Sequence, residues 1–376
     1  MYVPESSVKP VHLRGKDLQQ SFIRSGGTTR VASRQEIGSM MMNSRMPRWE
    51  ELRASTLLSD TELLASLDID PMFEMLGRPI PSEPDARLAW LSDERFVDRV
   101  AGGGYVTNLG AMAAARDLTA FKELARKVAR VIVYEGTNEA KTKQEAEGRR
   151  GYAVTFQRLL KFVVSLLPQS EVIEQALRVT KKVYPEIALR ELIANALIHQ
   201  DFTITGTGPL IEIFANRIEI SNPGGLLPSK RLDRLIGTQP ESRNEDLARA
   251  FRRYKICEER GSGLLKAGLE VELYGLPPMQ FEAGSNYFKV TLFAPRTFAQ
   301  MSPRERLEAC YQHAVLQHLS GSSLTNTSLR QRLKMPERQR SMVSVLIQEA
   351  VDQVKIKPSD PDNKSKKFAE YVPWWA

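Results

Sequence analysis

The sequence predicts a mixed α/β protein, with an α/β sandwich in its centre and a helical domain at its C-terminal end. Three observations support this class. Segments of helical spacing alternate with short runs of strand-forming residues between residues 171 and 295. Within them, GPLIEIFANRIEISNPGG predicts two strands around Ala215, Asn216 and Arg217, as in a hairpin. After Pro295 the pattern changes to three helices followed by two short strands.

Length, charge and cysteine content restrict the number of domains and the kinds of partner. The chain has 376 residues, which indicates two or three domains with ample length for a core. A net charge of +8 favours an anionic partner, most often nucleic acid. The two cysteines, Cys257 and Cys310, are far apart and form no zinc-binding pattern. Without a membrane-length apolar run or a signal pattern, we expect a cytoplasmic protein with no membrane partner.

Four regions follow along the chain. The first 46 residues are polar and broken by a Gly-Gly turn. Residues 47–170 mix helices and strands, with KVARVIVYEG as the clearest strand and a long polar loop after it, and we expect them to be a mixed α/β linker and dimer or sheet region. Residues 171–295 contain the predicted antiparallel sheet and its helices. Residues 296–376 form the C-terminal region, and we expect these four ranges to be the domains.

The segment ELIANALIHQD raises the first functional question. Glu191 and Asn195 are four residues apart, so they project from one face of a helix. If that face is open, the carboxylate can orient a water molecule and the amide oxygen can bind Mg²⁺. The alternative is an amphipathic helix whose polar residues only meet solvent, and the helix by itself does not decide between them.

Two glycine-containing segments downstream favour the functional interpretation. Gly261-Ser262-Gly263 precedes a predicted helix, where backbone N–H groups and the helix dipole can face phosphate. Asn222 stands before Pro223-Gly224-Gly225, where it can present an amide to a purine edge. Such glycines are usually ordinary turns or caps. Their order along the chain after the Glu191 helix is more specific than any one of them.

These motifs resemble a known family. Residues 171–295 resemble the divergent GHKL-type ATP-binding domain of RecG-related, Schlafen/AlbA-type bacterial transcriptional regulators, through ELIANALIHQD, IEIFANRIEISNPGG and ICEERGSGL. The N-terminal FIRSGGTTRVASRQEI is similar to the closing segment of the AlbA-like domain of that family, so residues 1–46 look like a remnant of it. The resemblance implies a GHKL-like, or Bergerat-like, α/β sandwich that uses ATP and Mg²⁺.

The resemblance also implies roles for individual residues. Glu191 would be the general base and Asn195 the Mg²⁺ ligand, while Asn222 would take the place of the aspartate that reads adenine. The remaining nucleotide-binding residues would be Gly224, Gly225, Gly261, Ser262, Gly263 and Thr291. Two positions depart from the family pattern, because Asn222 carries no charge and Ile198 occupies a second acidic position. We therefore expect ATP binding, with hydrolysis slow or absent.

The C-terminal region has the pattern of a winged helix-turn-helix. Residues 301–376 contain twelve Lys or Arg and eight Asp or Glu, a net charge of +4. At the entry of the third helix, Arg338, Arg340 and Ser341 are placed to contact bases and phosphates. Lys364, Lys366 and Lys367 would form a wing that contacts an adjacent phosphate. The alternative is that the winged helix serves dimerisation and that the lysine-rich turn is merely solvated.

Together these features predict a regulator in which ATP occupancy modulates binding to double-stranded DNA, as a homodimer. A DNA-transaction ATPase, including a component of a defence system, is one alternative. A non-catalytic scaffold with a dimerising winged helix is another. The sequence lacks the GxxxxGK[ST] phosphate loop of helicase motors, so we do not expect a helicase.

Overall fold

The computed structural model describes residues 10–12, 15–25, 28–43, 47–174, 177–257, 261–362 and 369–376. Within these ranges no helix is both long and apolar enough to cross a lipid bilayer. The helices are α1 (Arg34–Asn43), α2 (Asp60–Ser66), α3 (Asp70–Leu76), α4 (Pro84–Asp93), α5 (Asn108–Ala114), α6 (Tyr152–Leu166), α7 (Glu186–Ile198), α8 (Glu245–Arg253), α9 (Gly263–Leu273), α10 (Pro303–Leu319), α11 (Asn326–Arg332) and α12 (Arg340–Asp352).

The strands form one large sheet and several hairpins. They are β1 (Phe22–Ser25), β2 (Thr28–Val31), β3 (Val97–Val100), β4 (Gly103–Val106), β5 (Arg130–Tyr134), β6 (Thr142–Glu147), β7 (Gln169–Glu174), β8 (Leu177–Lys182), β9 (Leu210–Phe214), β10 (Arg217–Pro223), β11 (Gln280–Ala283), β12 (Tyr287–Phe293), β13 (Ile356–Pro358) and β14 (Tyr371–Pro373). The two-stranded pairs are β1–β2, β3–β4, β7–β8 and β13–β14.

A six-stranded sheet forms the centre of the described structure, in the order β11-β12-β10-β9-β5-β6. The strands β9 and β10 pair in register from Phe214 opposite Arg217, which is the hairpin predicted around Ala215 and Asn216. Alternate residues on these strands, such as Ile218 and Ile220, are buried on one face. Helices cover that face, which confirms the mixed α/β fold class.

Three details of the sheet differ from the sequence prediction. The sheet is not wholly antiparallel, because β5 pairs with β9 in parallel and the chain between them crosses over through α6 and α7. The polar loop predicted after β5 contains β6, whose exposed charged side chains are typical of an edge strand. Finally, β5 and β6 precede the domain boundary predicted at residue 170, so that boundary divides the sheet.

Helix α7 is central to the packing. It begins directly after Pro185, where the missing N–H of proline costs no hydrogen bond. It packs against α6, α9 and β10, and most of its residues are buried, including Leu189, Leu192 and Ile193. Because α7 lies between the sheet and α9, a polar side chain on the α9 side is held in the interior.

The C-terminal unit (residues 303–362 and 369–376) follows the sheet. Its helix α10 packs against α12 and β14, and α11 packs against α12. A bridge between Leu324 and Tyr371 ties the turn before α11 to the hairpin β13–β14. The same helix α10 also packs against α9, so this unit lies directly beside the helix that faces α7.

Candidate functional site

A pocket lies between α7, the ends of β10 and β12, the start of α9, and the chain that follows β10. We call that chain, residues 226–243, the covering segment. The cavity volume of the pocket is about 190 Å³. This is below the roughly 300–1,000 Å³ of pockets that enclose a drug-sized ligand, so a nucleotide would extend beyond the cavity.

Helix α7 contributes the two polar residues that its sequence pattern singled out. Glu191 and Asn195 both line the pocket, one helical turn apart. Glu191 is only 6% exposed although it is ionisable. The carboxamide of Asn195 makes no hydrogen bond to any of the described residues, so its oxygen is available to a ligand or cation. With Glu191 buried and Asn195 partly exposed, this helix face lines a cavity.

The first turn of α9 closes the pocket opposite α7. A Cβ atom on Gly263 would lie 2.6 Å from Glu191 Oε2 and 3.8 Å from Asn195 Nδ2, so only glycine fits without displacing the carboxylate. The unpaired N–H groups of a first turn carry partial positive charge and suit an anion. Gly261 also lines the pocket and has a φ of +65°, whereas Ser262 does not line it.

The end of β10 supplies a second amide. Asn222 is 4% exposed and lines the pocket. Its Nδ2 donates to the carbonyl of Pro223 at 3.1 Å, which leaves Oδ1 as the free acceptor among the described contacts. Gly225 lines the pocket, and a Cβ there would be 2.4 Å from the carbonyl oxygen of Gly284. Gly224 does not line the pocket; its φ of +96° lets the chain pass close to Asp201.

Thr291 does not belong to the site. In the register of β10 and β12 it lies opposite Glu219, whereas the pocket-lining Val290 lies opposite Ile220. Neighbouring residues of a strand point to opposite faces of the sheet, so Thr291 points away from the pocket. The sequence alone indicates this orientation, because the polar Lys289 and Thr291 alternate with the apolar Phe288, Val290 and Leu292.

The covering segment brings cations that the sequence analysis did not assign. Arg243 lines the pocket, donates to Asp201 Oδ2 at 2.8 Å and donates to the carbonyl of Gly225 at 2.9 Å. Lys230 also lines the pocket, and its ammonium group donates to the carbonyl of Gln239. These contacts hold both cations beside the cavity. The sequence does contain a sign of these cations, because several Lys and Arg residues lie between the glycines at 224–225 and those at 261–263.

His199 follows α7 and also lines the pocket. Burial of the imidazole lowers its pKa to about 4, and the nearby positive charges of Arg243 and Lys230 act in the same direction. The ring is therefore neutral at pH 7. Such a ring can donate a hydrogen bond to phosphate only as a neutral group, and the positive charge beside the pocket comes from Lys230, Arg243 and Arg252.

Apolar side chains complete the walls, namely Leu192, Ala196, Ile198, Ile220, Leu226, Leu227, Leu235, Leu264, Phe288 and Val290. The pocket thus combines an apolar surface suited to a planar base with polar side chains, namely the carboxamides of Asn195, Asn222 and Gln239, the carboxylates of Glu191 and Glu241, and the cations Lys230, Arg243 and Arg252. No group of three or more His, Cys, Asp or Glu side chains among the described residues could hold a metal by itself. A cation here would need oxygen ligands from Asn195, the bound anion and water.

The residues predicted to contact DNA lie elsewhere. Arg340 and Ser341 are exposed at the beginning of α12, and Arg338 is exposed in the 3₁₀ turn directly before it, within the C-terminal unit. Lys364, Lys366 and Lys367 lie outside the described residues. Along α12 the exposed side chains are apolar as well as polar, because Met342 is 47% and Val345 is 68% exposed. This face therefore does not carry the continuous positive charge that a groove-binding helix usually presents.

Comparison with known proteins adds to this geometry. Residues 206–292 match the family model described as "Putative ATP-dependent DNA helicase recG C-terminal". The chain therefore carries an ATPase-like domain. The matched range includes Asn222 and the glycines at 224, 225, 261 and 263, and it begins after α7. The placement of Glu191 and Asn195 in the site of this ATPase-like domain accordingly rests on the pocket geometry.

The overall fold has a counterpart among solved structures. The crystal structure of the DIP2311 protein from Corynebacterium diphtheriae, a structural genomics target, superposes with a TM-score of 0.54. The two are 14% identical, and the alignment covers 94% of this chain and 70% of that chain. At this identity the similarity concerns the fold alone. No curated protein matches the chain. The mixed sheet of the ATPase-like domain is consistent with a GHKL-like α+β fold.

Proposed function

We propose that the ATPase-like domain binds ATP with Mg²⁺ in the pocket between α7 and α9, and that occupancy modulates contacts of the C-terminal unit with double-stranded DNA. The observation that carries the proposal is the convergence of Asn195, Asn222 and Gly263 on one cavity. Both carboxamides present an oxygen that no described residue uses. An amide oxygen that faces a cavity can coordinate Mg²⁺ or accept a hydrogen bond from a ligand.

The donor set fits the proposed ligands. Asn195 would supply one oxygen to Mg²⁺, while phosphate oxygens and water supply the others, as is usual for this cation. The first turn of α9 would face the phosphates, and the apolar walls would hold the base. When bound, Mg²⁺ would neutralise phosphate charge. Lys230 and Arg243 would add to the positive potential.

Turnover would be slow. Glu191 is the candidate general base, because it is the buried carboxylate beside both Asn195 and the start of α9. Ile198, which is 3% exposed in the same pocket, offers no second charged side chain to hold the attacking water. We therefore propose nucleotide binding as the main activity, with hydrolysis at most weak.

Titration of the full-length protein with fluorescent ATP, with and without Mg²⁺, tests the proposal. We expect Mg²⁺-dependent binding by the wild type and at least ~10-fold weaker binding by Asn195→Ala, about 1.4 kcal/mol. Asn138→Ala is the matched control, because Asn138 only caps an exposed loop by accepting from the Ala140 N–H. Equal Mg²⁺-dependent affinity for Asn195→Ala and the wild type would remove Asn195 as a ligand.

A second candidate function is a scaffold in which the C-terminal unit dimerises. The exposed Met342 and Val345 on α12 favour it, since exposed apolar side chains often mark protein contacts. Light scattering of the wild type and of Met342→Lys/Val345→Lys distinguishes the two. A dimer that dissociates in the double variant would favour the scaffold. An unchanged oligomeric state would leave this helix face free for DNA.

A further inference from the structure

The covering segment has a second face, which contacts the C-terminal unit. The phenolic OH of Tyr311 on α10 donates to the carbonyl of Asp233. The guanidinium of Arg234 lies 4.6 Å from the ring centroid of Trp375, and that of Arg231 lies 5.3 Å from Trp374. Such cation–π contacts are favourable at these distances. The two tryptophans directly follow β14, so the segment contacts the end of the β13–β14 hairpin.

The two faces of the covering segment are close in sequence. Lys230, Leu235 and Thr238 line the pocket, and they alternate with the residues that face the C-terminal unit. A short 3₁₀ turn at Leu232–Arg234 connects them. Lys230 also donates to the carbonyl of Gln239, which links residues 230 and 239 within the segment. Both faces therefore belong to one short stretch of chain, through which a displacement on the pocket side can reach the other side.

Helix α9, which forms the opposite wall of the pocket, also contacts the C-terminal unit. Helix α9 begins at the pocket with Gly263, and Glu272 lies near its other end. Glu272 Oε1 is 2.9 Å from Arg332 Nε of α11, and Glu272 Oε2 is 3.0 Å from His313 Nδ1 of α10. Midway along α9, a Cβ on Gly268 would lie 3.0 Å from Leu316, so the two helices pass closely.

The C-terminal unit thus contacts both walls of the pocket. It contacts one wall at α9 and the other at the covering segment. A ligand between Gly263 and the covering segment would change the spacing of these walls. We propose that nucleotide binding is transmitted to the β13–β14 hairpin through the contacts of Arg231 and Arg234 with Trp374 and Trp375. This inference rests on the proposed function, because it needs a nucleotide in the pocket.

Hydrogen–deuterium exchange of the full-length protein tests it, with fluorescent-ATP binding measured on the same samples. In the wild type, MgATP should slow exchange in the covering segment and in peptides that contain residues 311–319 and 371–376. Arg231→Ala/Arg234→Ala should bind nucleotide within about 3-fold of the wild type. It should keep the slowed exchange of the covering segment and lose it at the hairpin.

Two further variants make the result specific. Trp375→Phe keeps the ring packing and removes the bond that its Nε1 donates to Tyr311 at 3.2 Å, so it should weaken the transmitted effect with the fold intact. Arg53→Ala is the matched control, because Arg53 stacks on Tyr105 at 3.7 Å in another part of the chain. It should behave as the wild type.

The outcomes separate the two proposals. Nucleotide binding without any change of exchange at residues 371–376 would overturn the transmission and leave the proposed function standing. Retention of that change in Arg231→Ala/Arg234→Ala would likewise overturn the assigned contacts. Absence of nucleotide binding by the wild type would overturn the proposed function and, with it, this inference.

Discussion

The pocket beside α7 and the outer face of α12 hold their polar side chains in different ways. In the pocket, Glu191 and Asn222 are 6% and 4% exposed, and they converge on one cavity from separate segments. At α12, Arg340 is exposed at the start of the helix and Arg338 in the turn directly before it. Burial of a polar group has to be compensated, whereas an exposed cation costs almost nothing. Polar side chains that converge on one cavity from separate segments favour a ligand, whereas exposed cations by themselves do not.

Helix α9 allows the pocket to be compared with the C-terminal unit, because Gly263 lies at the pocket and Gly268 lies beside α10. We expect Gly263→Ala to weaken nucleotide binding by about 1–3 kcal/mol, roughly 5- to 150-fold, because the added Cβ displaces the Glu191 carboxylate. Gly268→Ala is the control on the same helix, since its Cβ meets Leu316 of α10 and not a residue that lines the pocket. It should leave nucleotide affinity unchanged.

Equilibrium titration with fluorescent ATP measures this difference, and thermal unfolding checks that both variants fold. Equal affinity for the Gly263 and Gly268 variants would mean that the start of α9 does not face the nucleotide. No part of the pocket would then be assigned to the phosphates, and the pocket, like α12, would lack an argument for an anionic ligand.

Gel-shift titration tests the α12 side. If this helix enters the major groove, Arg340→Ala should cost about 1–3 kcal/mol at a preferred DNA site and little elsewhere, because a bidentate contact to guanine is lost. Replacement of Lys364, Lys366 and Lys367 by Ala should weaken binding to all sequences and flatten the salt dependence, because fewer counterions are released. Arg78→Ala, an exposed arginine in another part of the chain, is the control.

A full-length protein that fails to shift duplex DNA at low salt would contradict both expectations. The exposed Met342 and Val345 would then identify α12 as a protein contact. This result would leave the nucleotide pocket untouched, because none of these side chains lines it.

The sequence predicted those elements of the pocket that depend only on residues close together along the chain. The spacing of Glu191 and Asn195 requires one helix face, and the turn between Phe214 and Arg217 requires a hairpin. Both follow from backbone periodicity alone. The mixed α/β class was predicted for the same reason. The roles of Gly261 and Gly263 required the resemblance as well as their position before a helix.

Other features depended on contacts between distant segments. The parallel pairing of β5 with β9 cannot be read from either strand, since both are equally apolar. Strand β6 was predicted as a loop because an exposed edge strand lacks an apolar face. Arg243 reaches the pocket only because Asp201 and the Gly225 carbonyl hold it there. Thr291 was assigned from the resemblance although its strand alternation places it on the other face.

The smallest expected effect concerns the choice of base. The amide of Asn222 is oriented by its own hydrogen bond, because Nδ2 donates to the Pro223 carbonyl and Oδ1 remains to accept. Adenine offers an amino group to such an acceptor, whereas guanine offers the acceptor O6 at the corresponding position. We therefore expect the wild type to prefer ATP to GTP. Asn222→Ala should weaken ATP by about 0.5–1.5 kcal/mol, roughly 2- to 13-fold, and change GTP affinity little.

Competition of unlabelled ATP and GTP against fluorescent ATP measures both affinities in one format, with Asn138→Ala as the control for loss of an exposed amide. The ratio of the two affinities is the informative quantity. If Asn222→Ala weakened ATP and GTP by the same factor, Asn222 would support the Pro223–Gly225 turn rather than read the base. If the ratio fell towards one, the buried amide would be the specificity determinant of the pocket. That function requires the fixed orientation of its side chain, which an exposed residue such as Arg340 does not have.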